Sequence, residues 1–415
     1  MEFYNFYFDE SSHHRAITYK ETGLNIYKEA ENDLFIGFFW GFNRKKVNLY
    51  RSRYLEIENE LKAIYGLGEE QEFKGTIIHK KNFQYGFNSF KTDTIKVYSK
   101  LFGLIDNESI IVHIHMYSKT EYLILQYFEE FNLPAYANKR AFIYSIIKFL
   151  FNYRNEKLMA GLFSNDKMDS KRFLKNLKSM LKIVISKTHN VKRKVEETPK
   201  LQELLFVLNN TDIKMQPKNK YEWDYIPLFE GLSKLLKELE IGTNKVNLTI
   251  DPEGTKRIFN AANQQDFGSV SDEEDSSENG LIRVADFFSN MFHRLTLALY
   301  DSLKEDLFVN VDTHNYVTKR ILNEKWFDIN NEEIYQLYVS LNKILRLNNG
   351  NYFTIFNGIF FDYAILVVSL VTYISEEYDD FEHFKSITPN MHAEDFNEYA
   401  AKIIQGEFVR NFYLK

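Results

Sequence analysis

The chain has 415 residues, 44% of them hydrophobic, which is enough for about two to three structural units with a substantial core and excludes global disorder. It contains no cysteine, so disulfides, thiolate nucleophiles and sulfur-ligated zinc sites are excluded, and Asp, Glu and His are the available metal ligands. The net charge of −6 would argue against a nucleic-acid partner only if the charge were evenly spread along the chain.

The N-terminal segment MEFYNFYFDESS lacks a basic region followed by an apolar stretch, so we expect no signal peptide and a cytoplasmic protein. The most apolar window, 352–374, is interrupted by Asn357 and Asp362. Its longest apolar run is far shorter than the ~20 residues that a bilayer requires. We therefore predict a buried helix in this window and no membrane partner.

The first third of the chain predicts alternating strands and helices. An aromatic strand runs directly into Asp9 and Glu10 and fits an antiparallel hairpin with the apolar run 34–40. The elements that follow are a helix over 44–65 ended by glycines, a short strand over 75–79, a helix over 93–104 and a β-branched strand over 109–116.

From Lys119 onward the pattern is helical for more than a hundred residues, until a strand over 245–250 ends at Asp251. The stretch 264–279 has six acidic residues and nothing apolar after Val270, which predicts a mobile loop. A helix over 281–302 and a helical C-terminal third complete the chain. We thus predict an α/β protein with a sheet core over 1–118 and 243–302, a basic helical insertion over 119–242 and a helical region over 303–415.

Three widely spaced aspartates occupy positions that favour a shared site. Asp9 ends the first strand, Asp251 ends a late strand, and Asp286 lies in about the first turn of a helix. Ligands in α/β folds gather at one edge of the sheet, and oxygen-only sites suit Mg²⁺ or Mn²⁺. Each aspartate can also be a turn former or a helix cap, and the helix dipole alone favours an Asp at the position of Asp286.

Four short motifs occur in an order that resembles one protein family. They are Phe6-Tyr7-Phe8-Asp9-Glu10-Ser11, Glu72-Phe73-Lys74-Gly75, the strand ending at Asp251, and Leu281-Ile282-Arg283-Val284-Ala285-Asp286. In this order the chain resembles a widespread bacterial domain-of-unknown-function family, number 3800, over residues 3–118 and 243–300. The closing motif departs from that family at Ile282 and Arg283, where the family usually has Leu and Gln.

The resemblance implies an RNase H-like mixed sheet core and a metal-dependent nuclease of the kind found among phage-defence genes. It implies an acidic site made of Asp9, Glu10, Glu72, Asp251 and Asp286, with Lys74 as a phosphate contact or charge balancer. Within that set, we expect Asp9, Asp251 and Asp286 to bind Mg²⁺ or Mn²⁺ directly. Two such ions stabilise the attacking and leaving oxygens in phosphodiester hydrolysis.

Two histidine pairs allow further chemistry. His113 and His115 share one face of a strand, where a metal role competes with simple packing or hydrogen bonding of the imidazoles. His13 and His14 follow the first acidic pair, and a general acid or base role there is open. Lys119, which follows the strand with His113 and His115, is either a phosphate contact or a solvated side chain.

Positive charge is concentrated in one segment. Residues 139–194 contain fifteen basic and three acidic residues, a net charge of +12. Because the whole chain has a net charge of −6, the rest of the chain has a net charge of −18. Within the segment, one helical stripe consists of Lys171, Lys175, Lys178 and Lys182. A basic amphipathic helix can follow a nucleic-acid backbone, and it can equally be the solvated face of a helical domain.

These observations favour a Mg²⁺- or Mn²⁺-dependent nuclease that acts on nucleic acid, with no motif that selects DNA over RNA. The alternative is a catalytically inactive RNase H-like module that binds a protein partner or acts as a scaffold in a defence complex.

Overall fold

A computed structural model describes residues 2–12, 16–20, 23–26, 33–68, 70–105, 109–128, 131–163, 171–188, 197–213, 218–252, 256–273, 277–303, 322–347, 355–357 and 362–412. Within these ranges, no helix has the length and apolar character needed to cross a membrane.

The described residues form an α/β protein. The strands are β1 (Tyr4–Ser11), β2 (Ile17–Lys20), β3 (Gly23–Leu24), β4 (Leu34–Asn43), β5 (Gln84–Phe87), β6 (Ile110–Ser118), β7 (Phe131–Asn132), β8 (Asp212–Ile213), β9 (Lys220–Tyr221), β10 (Val246–Ile250), β11 (Ser269–Ser271) and β12 (Ile355–Asn357). The helices are α1 (Val47–Tyr65), α2 (Thr92–Ile105), α3 (Lys119–Tyr127), α4 (Lys139–Tyr153), α5 (Glu156–Ala160), α6 (Arg172–Thr188), α7 (Glu197–Asn209), α8 (Ile226–Glu238), α9 (Arg257–Ala262), α10 (Gly280–Leu303), α11 (Glu332–Leu345), α12 (Asp362–Glu376), α13 (Phe381–Ser386) and α14 (Pro389–Phe412).

The main sheet is mixed and has the strand order β11-β10-β1-β4-β6-β12. Strand β4 is antiparallel to both of its neighbours, whereas the pairs β1–β10, β10–β11 and β6–β12 are parallel. Every strand except β4 therefore runs in one direction. The carboxyl ends of β1, β6 and β10 consequently meet at the same edge of the sheet.

Side-chain alternation along the strands divides the core between the two faces of this sheet. On one face, Tyr7, Phe38 and Trp40 pack with α1, α2, α10 and the helices of the C-terminal region. On the other face, Phe6 and Phe8 pack with α8 and α9. The result is a sheet covered by helices on both sides, a common solution for burying two apolar faces.

A separate apolar cluster holds helices α3 to α7 together with the small sheet β3-β2-β9. Helix α6 contributes Phe173, Leu177 and Leu181 to it, all buried. Helix α8 belongs to the sheet core instead of this cluster, because Leu228, Phe229 and its other apolar residues lie against the strands.

Most of the predicted elements match the structure. The antiparallel pairing of the first two long strands, the helices over 44–65 and 93–104, and the strands over 109–116 and 245–250 all correspond to observed elements within one to three residues at each end. Helix α1 ends at Gly66, whose φ of 66° is left-handed and suits a residue without a Cβ. The helical C-terminal region is also present over the described residues.

Three predicted elements are wrong in part or in full. The buried helix predicted over 352–374 is present from Asp362 onward, but Ile355–Asn357 forms the edge strand β12 beside β6. Residues 75–79 are not a strand, because residues Gly75–Ile77 form a 3₁₀ turn whose backbone is bound by side chains of α10. The stretch 264–279 is not all loop, since Ser269–Ser271 extends the sheet as β11 beside β10. The sequence did not predict β11 because its residues are mostly polar. An edge strand is held by backbone hydrogen bonds to one neighbour and does not require a run of apolar side chains.

Candidate metal centre

Strand pairing places two of the predicted ligands side by side. The parallel register of β1 and β10 pairs Phe8 with Ile250, so Asp9 and Asp251 are the next residues on the two neighbouring strands. The Asp251 N–H donates to the Phe8 carbonyl at 3.4 Å, which continues the ladder by one step. Asp9 is buried and Asp251 is partly exposed. Both lie at the carboxyl edge of the sheet, as the sequence predicts.

Asp286 reaches the same region from α10, which covers this face of the sheet. It is the seventh residue of α10 and so lies in the second turn, not the first, which removes the simple helix-dipole explanation. Its Oδ2 accepts a hydrogen bond from the Gly75 N–H at 2.8 Å, and its Oδ1 accepts one from the Asn290 amide at 2.6 Å. Each carboxylate oxygen has a second lone pair available for another partner.

Mutual repulsion shows that the acids share one region. The pKa of Asp9 is raised well above its usual range, first by burial and then by the negative charges of Asp286, Glu10 and Asp251. Burial also raises the pKa of Asp286, and the charge of Asp251 adds to this. The Gly75 N–H, Lys74 and Arg294 oppose that rise. A cation placed here would relieve repulsion between buried like charges.

Two neighbours of Asp9 on β1 complete the first motif. Glu10 is buried at 6% exposure, and its backbone N–H donates to Oδ1 of Asp9 at 2.7 Å. Ser11 is buried at 5% exposure, and its hydroxyl has no hydrogen-bond partner among the described residues. Since side chains alternate along a strand, Ser11 shares the face of Asp9. A buried hydroxyl without a partner is a natural contact for a ligand or a hydrated ion.

The second motif places a positive charge beside the acidic cluster and pairs its own carboxylate with that charge. Glu72 forms an ion pair with Lys74 at 2.6 Å, and neither side chain is buried. Lys74 also lowers the pKa of Asp286 through its positive charge, which places it next to the acidic cluster. The structure therefore brings Asp9, Glu10, Asp251 and Asp286 together electrostatically, with Lys74 beside them and Glu72 held by Lys74.

The departure at Arg283 has a structural counterpart on helix α1. The Arg283 guanidinium donates to Glu58 Oε2 at 2.7 Å and to the Tyr54 hydroxyl at 3.4 Å, in a buried position. The other oxygen of Glu58 accepts from the Phe73 N–H at 3.5 Å. Arg283 thus ties α10 to α1 and to the segment before Gly75, and it does not point its charge at the aspartates.

Sequence reasoning missed Asn290 and Arg294. They follow Asp286 by four and eight residues and so lie on the same face of α10. Asn290 holds the Asp286 carboxylate, and Arg294 donates to the carbonyls of Gly75 and Ile78. The helical spacing from Asp286 was the one signal in the sequence that could have found them.

The donor chemistry of this region fits a hard divalent cation, because it offers several carboxylates and a hydroxyl. In the part of the chain that the structure describes, no three Asp, Glu or His side chains already stand close enough to hold a metal ion together. The acids therefore share an electrostatic neighbourhood without forming a closed ligand set. Binding an ion would require the carboxylates to move toward one another.

The remaining candidates lie elsewhere. His113 and His115 are buried on the α8 face of the sheet, against Phe39 and Phe35, and so lie opposite the face that carries α10. Burial lowers the pKa of His115 to about 3, with His113 adding to the effect. His13 and His14 are outside the described residues.

Lys119 is not a solvated side chain. It begins α3 at the carboxyl end of β6, with 5% exposure, and burial lowers its pKa to about 8 while Asp33 opposes that shift. It shares the sheet edge of Asp9, but β4 separates the two strands. The four lysines of the predicted stripe, in contrast, surround one groove on α6.

Comparisons with family models, with curated proteins and with solved structures found no match to this chain.

Proposed function

We propose that this protein is a Mg²⁺- or Mn²⁺-dependent nuclease that hydrolyses phosphodiester bonds at the carboxyl edge of its sheet. The observation that carries the proposal is the placement of the buried Asp9 beside Asp251 at the ends of the parallel strands β1 and β10, where the charges of Asp286, Glu10 and Asp251 all raise its pKa. A perturbed cluster of acids is a candidate functional site on physical grounds, because an unrelieved cluster costs stability.

The topology supports an RNase H-like core as part of this proposal. Numbered one to five in chain order, β1, β4, β6, β10 and β11 lie in the spatial order three-two-one-four-five. The first three are antiparallel neighbours, and the last two run parallel to the first. A mixed sheet with acids at the ends of its first strand and of a neighbouring strand fits the RNase H-like core that the resemblance implies, and β12 extends this sheet beyond β6.

In the proposed site, Asp9, Asp251 and Asp286 hold the divalent cation, and the Ser11 hydroxyl contacts it or its water. Glu10 lies on the opposite face of β1 and contributes negative charge beside Asp9. When bound, Mg²⁺ or Mn²⁺ supplies Lewis-acid stabilisation of the charge that develops on the phosphate. Lys74 balances charge beside Asp286, and the Gly75 N–H and Asn290 fix the direction of that carboxylate. The resemblance alone supports one further proposal, a role in anti-phage defence, and the cytoplasmic location stays a prediction.

A second candidate function is an inactive RNase H-like module that binds a partner in a defence complex. One observation favours it, namely that no three acids among the described residues already stand within reach of one ion. The hydrogen bond from the Gly75 N–H to Asp286 would then serve only to hold the 3₁₀ turn against α10, and the bond from Asn290 would only orient the carboxylate within that helix.

Nuclease assays separate the two functions. The wild-type protein is incubated with labelled DNA and RNA in Mg²⁺, in Mn²⁺ and in EDTA, beside Asp9→Asn and Asp286→Asn. The nuclease proposal expects cleavage that needs the metal and falls to background in both variants. Asp379→Asn is the matched control, since that side chain is 96% exposed. Cleavage that persists in both variants would contradict the aspartates as the catalytic site, whereas the absence of cleavage by the wild type on every substrate would support the second function.

A further inference from the structure

A groove of about 530 Å³ runs along helix α6, outside the region of the aspartates. Its lining consists of Lys171, Leu174, Lys175, Lys178, Ser179, Lys182 and Thr211. Four of these seven residues are lysines and none is acidic. The groove therefore presents a concentrated positive charge with hydroxyl groups beside it.

The lysines of the groove repel one another. The pKa of Lys178 is lowered, first by burial and then by the positive charges of Lys182 and Lys171. Other surface lysines nearby in the chain have acidic partners, as Lys200 has Glu203 and Lys220 has Glu222. Within the described part of the chain, no acidic side chain pairs with the groove lysines, so their mutual repulsion remains and a bound anion would relieve it.

Packing holds the four lysines in place along one line. The opposite side of α6 is anchored by Phe173, Leu177 and Leu181 in the apolar cluster that α6 shares with α5 and α7. From Lys171 to Lys182 the helix rises about 16 Å, in steps of about 4 to 6 Å between successive lysines. A nucleic-acid strand places one charge about every 3.4 Å along a duplex axis, so this line spans about five phosphates.

We propose that the α6 groove binds the phosphate backbone of a nucleic acid, and that it does so without metal and separately from the aspartates. The choice of nucleic acid over another polyanion rests on the proposed nuclease function. No aromatic side chain lines the groove among the described residues, so it offers no platform on which bases could stack. Recognition is therefore of the backbone and independent of base sequence.

The test measures binding in EDTA, where no cleavage can occur. Fluorescence anisotropy with a labelled 25-base-pair DNA duplex and the matching RNA duplex is recorded across a salt series. The groove variant replaces Lys171, Lys175, Lys178 and Lys182 by Gln, which keeps helix propensity close to that of Lys. The proposal expects at least about tenfold weaker binding and a logarithmic salt slope shallower by about three to four, because each lost phosphate contact removes about 0.9.

A matched control replaces four exposed lysines outside the groove, Lys91, Lys96, Lys237 and Lys402, by Gln. It should bind like the wild type, and circular dichroism should show both variants folded. Equal weakening by the two sets would mean that only net charge matters and would overturn the groove proposal. Preferential, groove-dependent binding of polyglutamate over both duplexes would overturn it as well.

The design keeps this inference distinct from the nuclease proposal. Asp379→Asn, at a side chain that is 96% exposed and lies outside both the acidic site and the groove, should bind duplex in EDTA as tightly as the wild type. If the protein binds duplex through the groove but cleaves no substrate, the groove proposal stands and the nuclease proposal is wrong. If the wild type cleaves nucleic acid but the groove variant binds duplex normally, the nuclease proposal stands and the groove proposal is wrong.

Discussion

At the scale of single residues, the backbone of Gly75 decides where the Asp286 carboxylate points. The Gly75 N–H donates to Oδ2 of Asp286, and Arg294 holds the Gly75 carbonyl at 2.7 Å. A Cβ at position 75 would lie 3.2 Å from both Asp286 Oδ2 and Asn290 Cβ. Glycine is needed here for this close approach and not for an unusual φ.

We expect Gly75→Ala to displace the Asp286 carboxylate by a few tenths of an ångström. Misplaced ligands and positioning groups weaken catalysis steeply, so metal-dependent cleavage should fall by about tenfold or more. The free energy of unfolding, measured in urea, should drop by only about 1 kcal/mol because the neighbouring side chains need to shift by only a few tenths of an ångström.

Gly103→Ala is the control for this substitution. Gly103 lies on α2, is exposed, and a Cβ there would contact nothing within 4 Å. That change should leave cleavage unaltered and raise stability by up to about 1 kcal/mol. Equal activity in wild type and Gly75→Ala would show that the Gly75 contact does not position Asp286 for chemistry.

At the residue scale, the sequence predicted the aspartates better than it predicted their partners. Asp9 and Asp251 were identifiable because an alternating or β-branched run ends immediately before each of them. The Gly75–Asp286 bond joins positions 211 residues apart, and no local pattern encodes such a contact. The strand predicted over 75–79 failed for the same reason, since side chains of α10 satisfy that backbone.

At the scale of elements, a buried ion pair fixes α10 against α1. The side chains of Arg283 and Glu58 are 10% and 2% exposed, and Glu58 also accepts from the Phe73 N–H. Asp286 lies one helical turn beyond Arg283, so this pair sets the position from which α10 presents its carboxylate. Arg283, at a motif position where this chain differs from the family it resembles, therefore connects α10 to α1.

We expect Glu58→Gln to lower the free energy of unfolding by about 3 kcal/mol, because it leaves the Arg283 charge buried without a carboxylate. Glu58→Leu combined with Arg283→Met should cost less than that single change, since no charge then remains buried. Urea denaturation measures both variants.

The exposed pair Lys200 and Glu203 provides the comparison, at 81% and 70% side-chain exposure. Glu203→Gln should change stability by less than about 0.5 kcal/mol. If Glu58→Gln lowered the free energy of unfolding as little as Glu203→Gln, the buried pair would not be what fixes α10 against α1.

At the scale of the whole molecule, two apolar systems and an uneven charge distribution organise the chain. The sheet with its two helical layers carries the acids, and the cluster of α3 to α7 carries the lysine groove. Composition and periodicity predicted this division, because the charge segregation and the change from strands to helices are both visible in the sequence. The packing of α8 against the sheet was not predictable, because an amphipathic pattern shows that a helix has a buried face but not which element it packs against.

His115 on β6 makes global stability depend on pH. The pKa of His115 is about 3 in the folded protein, against 6.5 for an ordinary histidine, so only the unfolded chain takes up this proton between those values. Stability from this residue is present above pH 6.5 and decreases as the pH falls below it. Between pH 7 and pH 5 the loss amounts to about 2 kcal/mol.

His115→Gln removes this contribution, so the variant should lose about 2 kcal/mol less than the wild type over the same interval. Urea denaturation at pH 7 and pH 5 measures the change in the free energy of unfolding for each protein. Any loss of stability that the substitution causes equally at both pH values cancels from this change. His383→Gln, at a side chain that is 49% exposed, is the control and should follow the wild type. Identical pH dependence in His115→Gln and wild type would contradict the role given to His115.

The central claim is that Asp9, Asp251 and Asp286 form a divalent-cation site, and anomalous diffraction from crystals grown with Mn²⁺ tests it most directly. The account predicts one anomalous peak or more bounded by the three carboxylates, with their oxygens drawn in to about 2.0–2.2 Å from the ion. The same crystals of Asp9→Asn should show that peak lost or much reduced. Saturating Mn²⁺ with no peak between these aspartates in the wild-type protein would contradict the account.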